Sequence, residues 1–229
     1  MKIDQEFVEK ANRKLLNADI DGILKWAVET YGSDLGMTTT CSYNGVVLIY
    51  HLRKYYPGIE LFFFDTGYHF PETVRFVKEL REKWQLNLKI IEPEISHAEL
   101  IAMVGNPPYK TNSDQCCYHL KIRSLLNILP LKKAWLSAIR RDQTPNRANI
   151  RPVEIDSRGT LKIHPLYNRH RAELWDFIHQ YKIPYNPLYD MNYHSIGCQP
   201  CTTAIENPSN ERECRWHDSE KVECGLNRY

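Results

Sequence analysis

A doubly wound, mainly parallel α/β sheet is the fold class predicted by this 229-residue sequence. Three observations predict it. Short apolar runs alternate with amphipathic stretches at the spacing of βαβ units, whose crossovers are right-handed. Within Glu60–Phe64 the run Leu61-Phe62-Phe63-Phe64 is apolar without alternation, as in a strand covered on both faces. The chain is also long enough to fill one α/β core and still carry a small appendage.

Apolar positions at Phe7, Val8, Ala11 and Leu15, and after Asp19 at Ile20, Ile23, Leu24 and Ala27, predict helix over residues 5–30. Residues 36–41 read as a β-rich strand. A short polar turn follows, then a helix over about 45–55 that Pro57-Gly58 stops. The Phe-rich strand ends at Asp65-Thr66-Gly67, and Pro71-Glu72 opens a helix at its first turn. Leu88-Lys89-Ile90-Ile91 is the next strand, with helix near 97–104. Residues 106–115 form a polar loop into Cys116, and a helix continues to about Leu129. Strands are expected at 134–139 and near 160–163, and helix at 172–181. From about Leu188 the periodicity fades and Cys, Asn, Glu and Arg dominate. The chain therefore divides into a nucleotide-binding α/β domain over 1–187 and an extension over 188–229, packed on the same core and ending in a mobile tail.

Hydrophobic residues make up 42% and charged residues 25%, an ordinary soluble globular composition. A net charge of +2 supplies no basic stripe for nucleic acid, so any anion site must come from local arginines. No run of ~18 apolar residues is present, so no membrane span is expected. Met1-Lys2-Ile3-Asp4-Gln5-Glu6 is too polar for a secretory signal, which points to the cytoplasm. There, cysteine pairs more often mean metal or redox chemistry than disulfides, and the odd total of seven argues the same way.

Open α/β sheets bind ligands at the C-terminal ends of their strands. At one such end, Thr39-Thr40-Cys41-Ser42-Tyr43-Asn44-Gly45 offers hydroxyls and backbone N–H groups at a helix start, suited to phosphate or sulfate. An ordinary β–α turn would look much the same, and neither a Walker A sequence nor the Ser-Gly-Gly-x-Asp-Ser of ATP pyrophosphatases is present. Asp65-Thr66-Gly67-Tyr68 ends the Phe-rich strand, where Asp and Gly serve equally well as simple turn chemistry. Arg140-Arg141-Asp142-Gln143-Thr144-Pro145-Asn146-Arg147 begins where another strand ends. Paired arginines there match oxyanions by bidentate hydrogen bonding, although a charged turn may simply be solvated.

Cys116-Cys117 and Cys198-Gln199-Pro200-Cys201 offer four thiolates, enough for a tetrahedral zinc site or a [4Fe–4S] cubane. Adjacent cysteines suit the cubane better, because its irons are separate centres; zinc and inert buried thiols remain open on chemistry alone. Cys41 and Cys214 lack a spacing partner and are read as structural. Cys224, in the polar run Glu223-Cys224-Gly225-Leu226 with Arg212, Arg215 and Arg228 nearby in sequence, has the cationic setting of a nucleophilic thiol. The bland reading is a stray exposed thiol.

Together these motifs resemble the adenylyl-sulfate/phosphoadenylyl-sulfate reductase family, within the adenine nucleotide α-hydrolase-like fold, a Rossmann-like three-layer α/β/α architecture. The resemblance runs from about Gly36 to Leu226. It rests on Asp65-Thr66-Gly67-Tyr68-His69-Phe70-Pro71-Glu72-Thr73, Cys116-Cys117, Arg140-Arg141-Asp142-Gln143-Thr144, Tyr193-His194-Ser195-Ile196-Gly197-Cys198-Gln199-Pro200-Cys201-Thr202 and Glu223-Cys224-Gly225-Leu226. It implies a [4Fe–4S] cluster on Cys116, Cys117, Cys198 and Cys201. It makes Cys224 the nucleophile that attacks the sulfate sulfur, expels AMP and becomes an S-sulfocysteine, from which thioredoxin or a glutaredoxin-like thiol releases sulfite.

The resemblance further implies that adenosine lies along Asp65, Thr66 and Gly67, that the phosphate turn is Thr39, Thr40 and Ser42, and that the phosphosulfate meets Lys121, Arg140, Arg141, Arg212 and Arg215. A cysteine quartet favours adenylyl sulfate, with 3′-phosphoadenylyl sulfate, or both, as the alternative. Departures from the family pattern are Asn227 in place of His after the Glu-Cys-Gly-Leu run, Leu120 in place of Arg, and Cys214 in place of Gly. Competing readings are an ATP-using adenylyltransferase or thiolation enzyme of the same fold and a non-catalytic metal-binding sensor. No nucleic-acid or membrane partner is expected, and a homo-oligomer is compatible with the sequence.

Overall fold

The computed structural model describes residues 3–216 and Lys221. Six strands form one sheet: β1 (Leu35–Thr38), β2 (Glu60–Phe64), β3 (Leu88–Ile91), β4 (Ala134–Leu136), β5 (Val153–Ile155) and β6 (Leu161–Ile163). Their order is β3-β2-β1-β4-β6-β5. Every pairing is parallel except β5 with β6, which is antiparallel. The order reverses direction at β1, where the chain steps outward first to β2 and later to β4. The gap beyond the C-terminal ends of β1 and β4 is therefore the crevice in which such sheets place ligands.

The expected mainly parallel sheet is thus the observed one, and β5 was not foreseen. The helix expected over 5–30 is two helices, α1 (Gln5–Leu15) and α2 (Ile20–Tyr31). Asp19 makes the break, its carboxylate accepting the Gly22 N–H at 2.7 Å as an N-cap. Helix α3 (Tyr43–Leu52) follows β1, starting two residues before the expected 45, and α4 (Pro71–Lys83) follows β2 with Pro71 in its first turn. After α5 (His97–Val104), the expected loop 106–115 holds two short helices, α6 (Pro108–Thr111) and α7 (Ser113–Cys117). The expected helix from Cys116 is interrupted by a π-turn over Tyr118–Ile122 before α8 (Arg123–Ile128). Such insertions are frequent at functional sites, and this one carries Lys121. Helix α9 (Arg171–Tyr181) closes the helical layer against α3.

The main core lies between the sheet and helices α1, α2, α3, α4 and α9. It includes Ile23, Leu24, Leu35, Met37, Val47, Leu48, Leu61, Phe63, Leu136 and Ile163, all almost fully buried. A smaller cluster on the opposite face joins Phe62, Phe64 and Trp135 to Leu125, Ile128 and Leu129. Side chains alternate across a strand, so adjacent residues of the Phe run feed the two clusters. That explains why β2 is apolar without alternation.

The segment after α9 packs back onto the sheet. Asn186 donates to Thr73 at 2.9 Å, and His69 and Cys198 form an antiparallel bridge. Both contacts set the extension beside the β2–α4 connection. No described helix is long and apolar enough to cross a membrane.

Candidate active site

A cavity of about 690 Å³ opens at the C-terminal ends of β1, β2 and β4. Thr39, Thr40 and Ser42 line it, as do Asn44 and Gly45 at the start of α3. The turn is tightly built. Thr39 Oγ1 accepts the Cys41 N–H at 3.0 Å, and Cys41 takes a left-handed φ of 50°. A Cβ on Gly45 would lie 2.7 Å from the same Thr39 oxygen, so the close approach of α3 requires glycine. Burial pushes the Cys41 thiol up to about 12, which makes it an inert packing group.

Lys121, Arg212 and Arg215 also line the cavity and make it cationic. Arg147 joins them; the sequence reading placed it at the end of the same run but assigned the anion role to the adjacent pair six residues before it. Lys121 is buried, carried inward by the π-turn. Arg215 is fixed by donating from Nε to the Cys201 carbonyl at 3.1 Å and by lying over the Trp216 ring. Its guanidinium occupies the space over Gly197, where a Cβ would stand 2.1 Å from Nη1.

The two arginines read as a clamp stand behind the cavity lining, bonded to residues that form it. Arg140 is 1% exposed and does not line the cavity. Its Nη1 donates to the Tyr43 hydroxyl at 2.8 Å and to Asn44 Oδ1; its Nε donates to Asp142 at 2.8 Å and its Nη2 approaches Glu211 at 3.4 Å. Burial opposes the charge, but Tyr43, Glu211 and Asp142 outweigh it and hold the guanidinium above its ordinary pKa. Arg141 donates to the Ile150 carbonyl at 2.7 Å and lies over the Tyr167 ring, also away from the cavity. A pair of arginines after a strand can thus be spent on joining the fold as readily as on an oxyanion.

At the β2 end, Asp65 accepts the Gly67 N–H at 2.9 Å, and Gly67 has φ 70°. A Cβ there would strike His97, whose Nε2 lies 2.8 Å from the Thr66 carbonyl. Asp65 and Gly67 therefore build the turn, and neither lines the cavity. Thr66 is fully buried with Oγ1 3.3 Å from the Cys198 sulfur, so it faces the thiols. His69, absent from the expected set, does line the cavity. Its Nε2 lies 3.0 Å from the Phe64 carbonyl, while burial and Lys121 push it down to about 4 and keep it neutral. With Nε2 donating to that carbonyl, Nδ1 is a buried acceptor without a hydrogen-bond partner.

Helix α7 and the Cys198–Cys201 turn bring Cys116 near Cys198 and Cys201, with Cys117 beside Cys116 in α7, and all four are free thiols. Burial and then Cys198 and Cys201 push Cys116 up to about 12, and burial and then Cys198 raise Cys201. These thiols are near enough to repel as anions, while Lys121 and Lys221 favour their thiolates. Among the described residues no three metal-binding side chains converge on one ion position. Three of these thiols, Cys116, Cys198 and Cys201, act on one another, and with Cys117 next to Cys116 in the chain the four form an all-sulfur donor set of the kind that suits an iron–sulfur cluster or a zinc ion.

Cys214 is buried, with its sulfur 3.4 Å from the donating His194 N–H, away from this quartet's ligand role. Cys224, with Glu223, Gly225, Leu226, Asn227 and Arg228, lies outside the described residues.

Three comparisons bear on this geometry. The model of the phosphoadenosine phosphosulfate reductase domain matches residues 35–204. The adenosine 5′-phosphosulfate reductase of Halalkalibacterium halodurans is 36% identical over 221 residues, 96% of each chain. The phosphoadenosine 5′-phosphosulfate reductase of Gloeobacter violaceus is 35% identical over 230 residues, covering 99% of this chain and 95% of its own. Among solved structures, the phosphoadenylyl-sulfate reductase of Candida auris in its phosphate complex superposes with a TM-score of 0.78 at 28% identity, covering 90% of this chain and 99% of that one.

Proposed function

The chain belongs to the phosphoadenosine phosphosulfate reductase family, and from that premise we propose that it reduces adenylyl sulfate to sulfite and AMP through Cys224. The observation that carries this reading is the cationic cavity at the β1 and β4 ends, whose lining residue Lys121 also acts on the Cys116 thiol and whose lining residue Gly197 directly precedes Cys198. Relatives named for either sulfonucleotide match at nearly equal identity, so 3′-phosphoadenylyl sulfate is the second reading; the quartet favours the first.

The nucleotide phosphate sits against Thr39, Thr40 and Ser42 at the start of α3, where helix N–H groups and hydroxyls suit an oxyanion. Lys121, Arg212 and Arg215, with Arg147, neutralise the phosphosulfate and draw charge toward the departing AMP oxygen. The neutral His69 lines the same cavity. Arg140 acts behind these groups, holding Glu211 and so the turn that carries Arg212.

The Cys224 thiolate attacks the sulfate sulfur; its S–S bond forms as the sulfur–oxygen bond to the AMP phosphate breaks, and AMP leaves with the electron pair. A thiolate of thioredoxin or a glutaredoxin-like protein then attacks Cys224 Sγ, expelling sulfite. The second thiol resolves the mixed disulfide and returns Cys224 reduced. The dithiol supplies both electrons.

A [4Fe–4S] cluster on Cys116, Cys117, Cys198 and Cys201 supplies, when bound, a fixed charge that organises the cations around it. We place the reaction in the cytoplasm, where thiol reductants are maintained. The extension over 188–229 serves the same site as the domain over 1–187, supported by the His69–Cys198 bridge.

The deciding experiment is anaerobic sulfite release from adenylyl sulfate and from its 3′-phosphorylated form, with thioredoxin supplied, for the wild type and Cys224→Ser. Sulfite from the wild type alone supports the reading. Sulfite at wild-type rate from the serine variant removes Cys224 from its role, and pyrophosphate release from ATP would move the chain to the adenylyltransferase class.

A further inference from the structure

Among the described residues, four carboxylates line the cavity: those of Glu9, Glu154, Asp156 and Glu211. Three have both oxygens engaged. Glu9 takes a two-pronged contact from Arg151 at 2.6 and 3.0 Å. Glu154 accepts the Arg151 N–H at 3.2 Å through Oε1 and meets His164 through Oε2. Asp156 accepts the Arg158 and Thr160 N–H groups through Oδ1 and pairs with Arg158 and Lys162 through Oδ2. Glu211 differs. Its side chain is 6% exposed, and its two contacts, from the Tyr43 hydroxyl and from Arg140 Nη2 at 3.4 Å, both go to Oε2. The Tyr43 hydroxyl accepts from Arg140 Nη1 at 2.8 Å, so its own proton is committed to the carboxylate. Oε1 has no hydrogen-bond partner among the described residues.

We propose that Glu211 Oε1 accepts a hydrogen bond from a ribose hydroxyl of the nucleotide, and that this carboxylate selects against a 3′-phosphate. The inference rests on the cavity being the sulfonucleotide site. A carboxylate oxygen sealed from water without a donor is costly, so the ligand that fills the cavity has to supply one. An adenosine phosphosulfate offers donors only at its ribose hydroxyls and its adenine amino group. Its ionised phosphate and sulfate oxygens only accept, and a carboxylate repels them. Position favours the ribose over the base. Tyr43 belongs to the proposed phosphate turn, and Arg212, the next residue in the chain, is one of the phosphosulfate cations. Glu211 is thus tied on both sides to the phosphate end of the site, where the sugar is attached. The two ribose hydroxyls are vicinal, so a carboxylate that accepts from either lies against a 3′-phosphate, which brings negative charge in place of a donor.

The test measures equilibrium affinities of wild type and Glu211→Gln for adenosine 5′-monophosphate, its 2′-deoxy, 3′-deoxy and 6-desamino analogues, and its 3′-phosphorylated form. Tyr43 and Arg140 both donate, so the glutamine oxygen faces them and its NH2 takes the place of Oε1. In wild type, loss of one ribose hydroxyl is expected to weaken binding at least about tenfold, the scale of a hydrogen bond to a charged group; in the variant the same loss costs about threefold or less. The variant is also expected to bind the 3′-phosphorylated nucleotide about tenfold more tightly than wild type does, since an NH2 group donates where a carboxylate repelled. If neither deoxy analogue binds wild type more weakly, the proposal fails whatever the variant's stability. Equal deoxy penalties in the two proteins, no gain for the 3′-phosphorylated form, or a penalty that narrows for the desamino analogue instead would also overturn it. A wild type that binds none of these nucleotides would overturn the sulfonucleotide reading of the cavity, and the proposal with it.

Discussion

The guanidinium of Arg215 fills the place where any other residue at 197 would carry its side chain: a Cβ on Gly197 would lie 2.1 Å from Arg215 Nη1. The contact joins a cavity cation to the residue just before Cys198. The clash is with the far end of a flexible side chain, so the backbone need not move. Gly197→Ala is therefore expected to fold with its cysteine quartet intact and to bind substrate about ten- to a hundredfold more weakly, the worth of one charge-assisted contact. Equilibrium binding of adenylyl sulfate, alongside thermal unfolding, separates the two effects. Unaltered affinity would show that Arg215 does not meet the substrate.

Arg140 leads to the opposite expectation. It joins α3, the β4 connection and the extension through Tyr43, Asn44, Asp142 and Glu211. Removing it leaves the Glu211 carboxylate buried without that cation, a situation that costs about 3–5 kcal/mol. Arg140→Ala should lower the unfolding midpoint strongly before any effect on substrate binding is considered. Arg140→Lys should recover little, since one ammonium cannot reproduce a planar fork serving acceptors on several sides. A stable Arg140→Ala protein that simply bound substrate weakly would return Arg140 to the cavity.

The difference between these two arginines shows what a sequence discloses. The alternation of β1, α3, β2, α4 and β3 was legible because each element is punctuated by Pro, Gly or Asp and buries a face with its own period. The cysteine quartet was legible because thiol spacing is local. Arg140 was read as a clamp because its buried partners, Asn44, Tyr43 and Glu211, stand 96, 97 and 71 residues away and carry no local signal. Strand β5 was missed for a related reason. Val153-Glu154-Ile155 is too short to show a period, and only its pairing with β6 makes it a strand. His69 and Arg147 escaped because cavity lining is decided by the turn of a side chain, which composition does not encode.

Cys198 has neighbours that a mere packing thiol would not need. Thr66 Oγ1 lies 3.3 Å from its sulfur, and its backbone bridges His69 at the cavity wall. If the quartet holds a cluster, Cys198→Ser should yield colourless protein lacking iron and labile sulfide. It should also unfold at lower denaturant, because ligand binding adds to folding stability by linkage. Iron analysis with visible absorption is sufficient. A brown, fully loaded Cys198→Ser protein would remove that residue from the ligand set.

Besides His69, two buried histidines set the expected response to acid. His164 is fully buried beside Glu154 Oε2 at 3.2 Å, and His51 Nδ1 donates to the Asp21 carboxylate at 2.8 Å, joining α3 to α2. Burial holds both below the ordinary histidine value even though each has a carboxylate beside it. Their folded forms are thus neutral at pH values where the unfolded chain takes up protons. The unfolded state then binds more protons, so stability is complete above about 6.5 and declines as pH falls below it. Urea midpoints at pH 7.5, 6.5 and 5.5 should fall in that order, and His51→Gln should shallow the decline by removing one of these three sites. A midpoint that rose on acidification would mean that the carboxylate partners, and not burial, govern these rings.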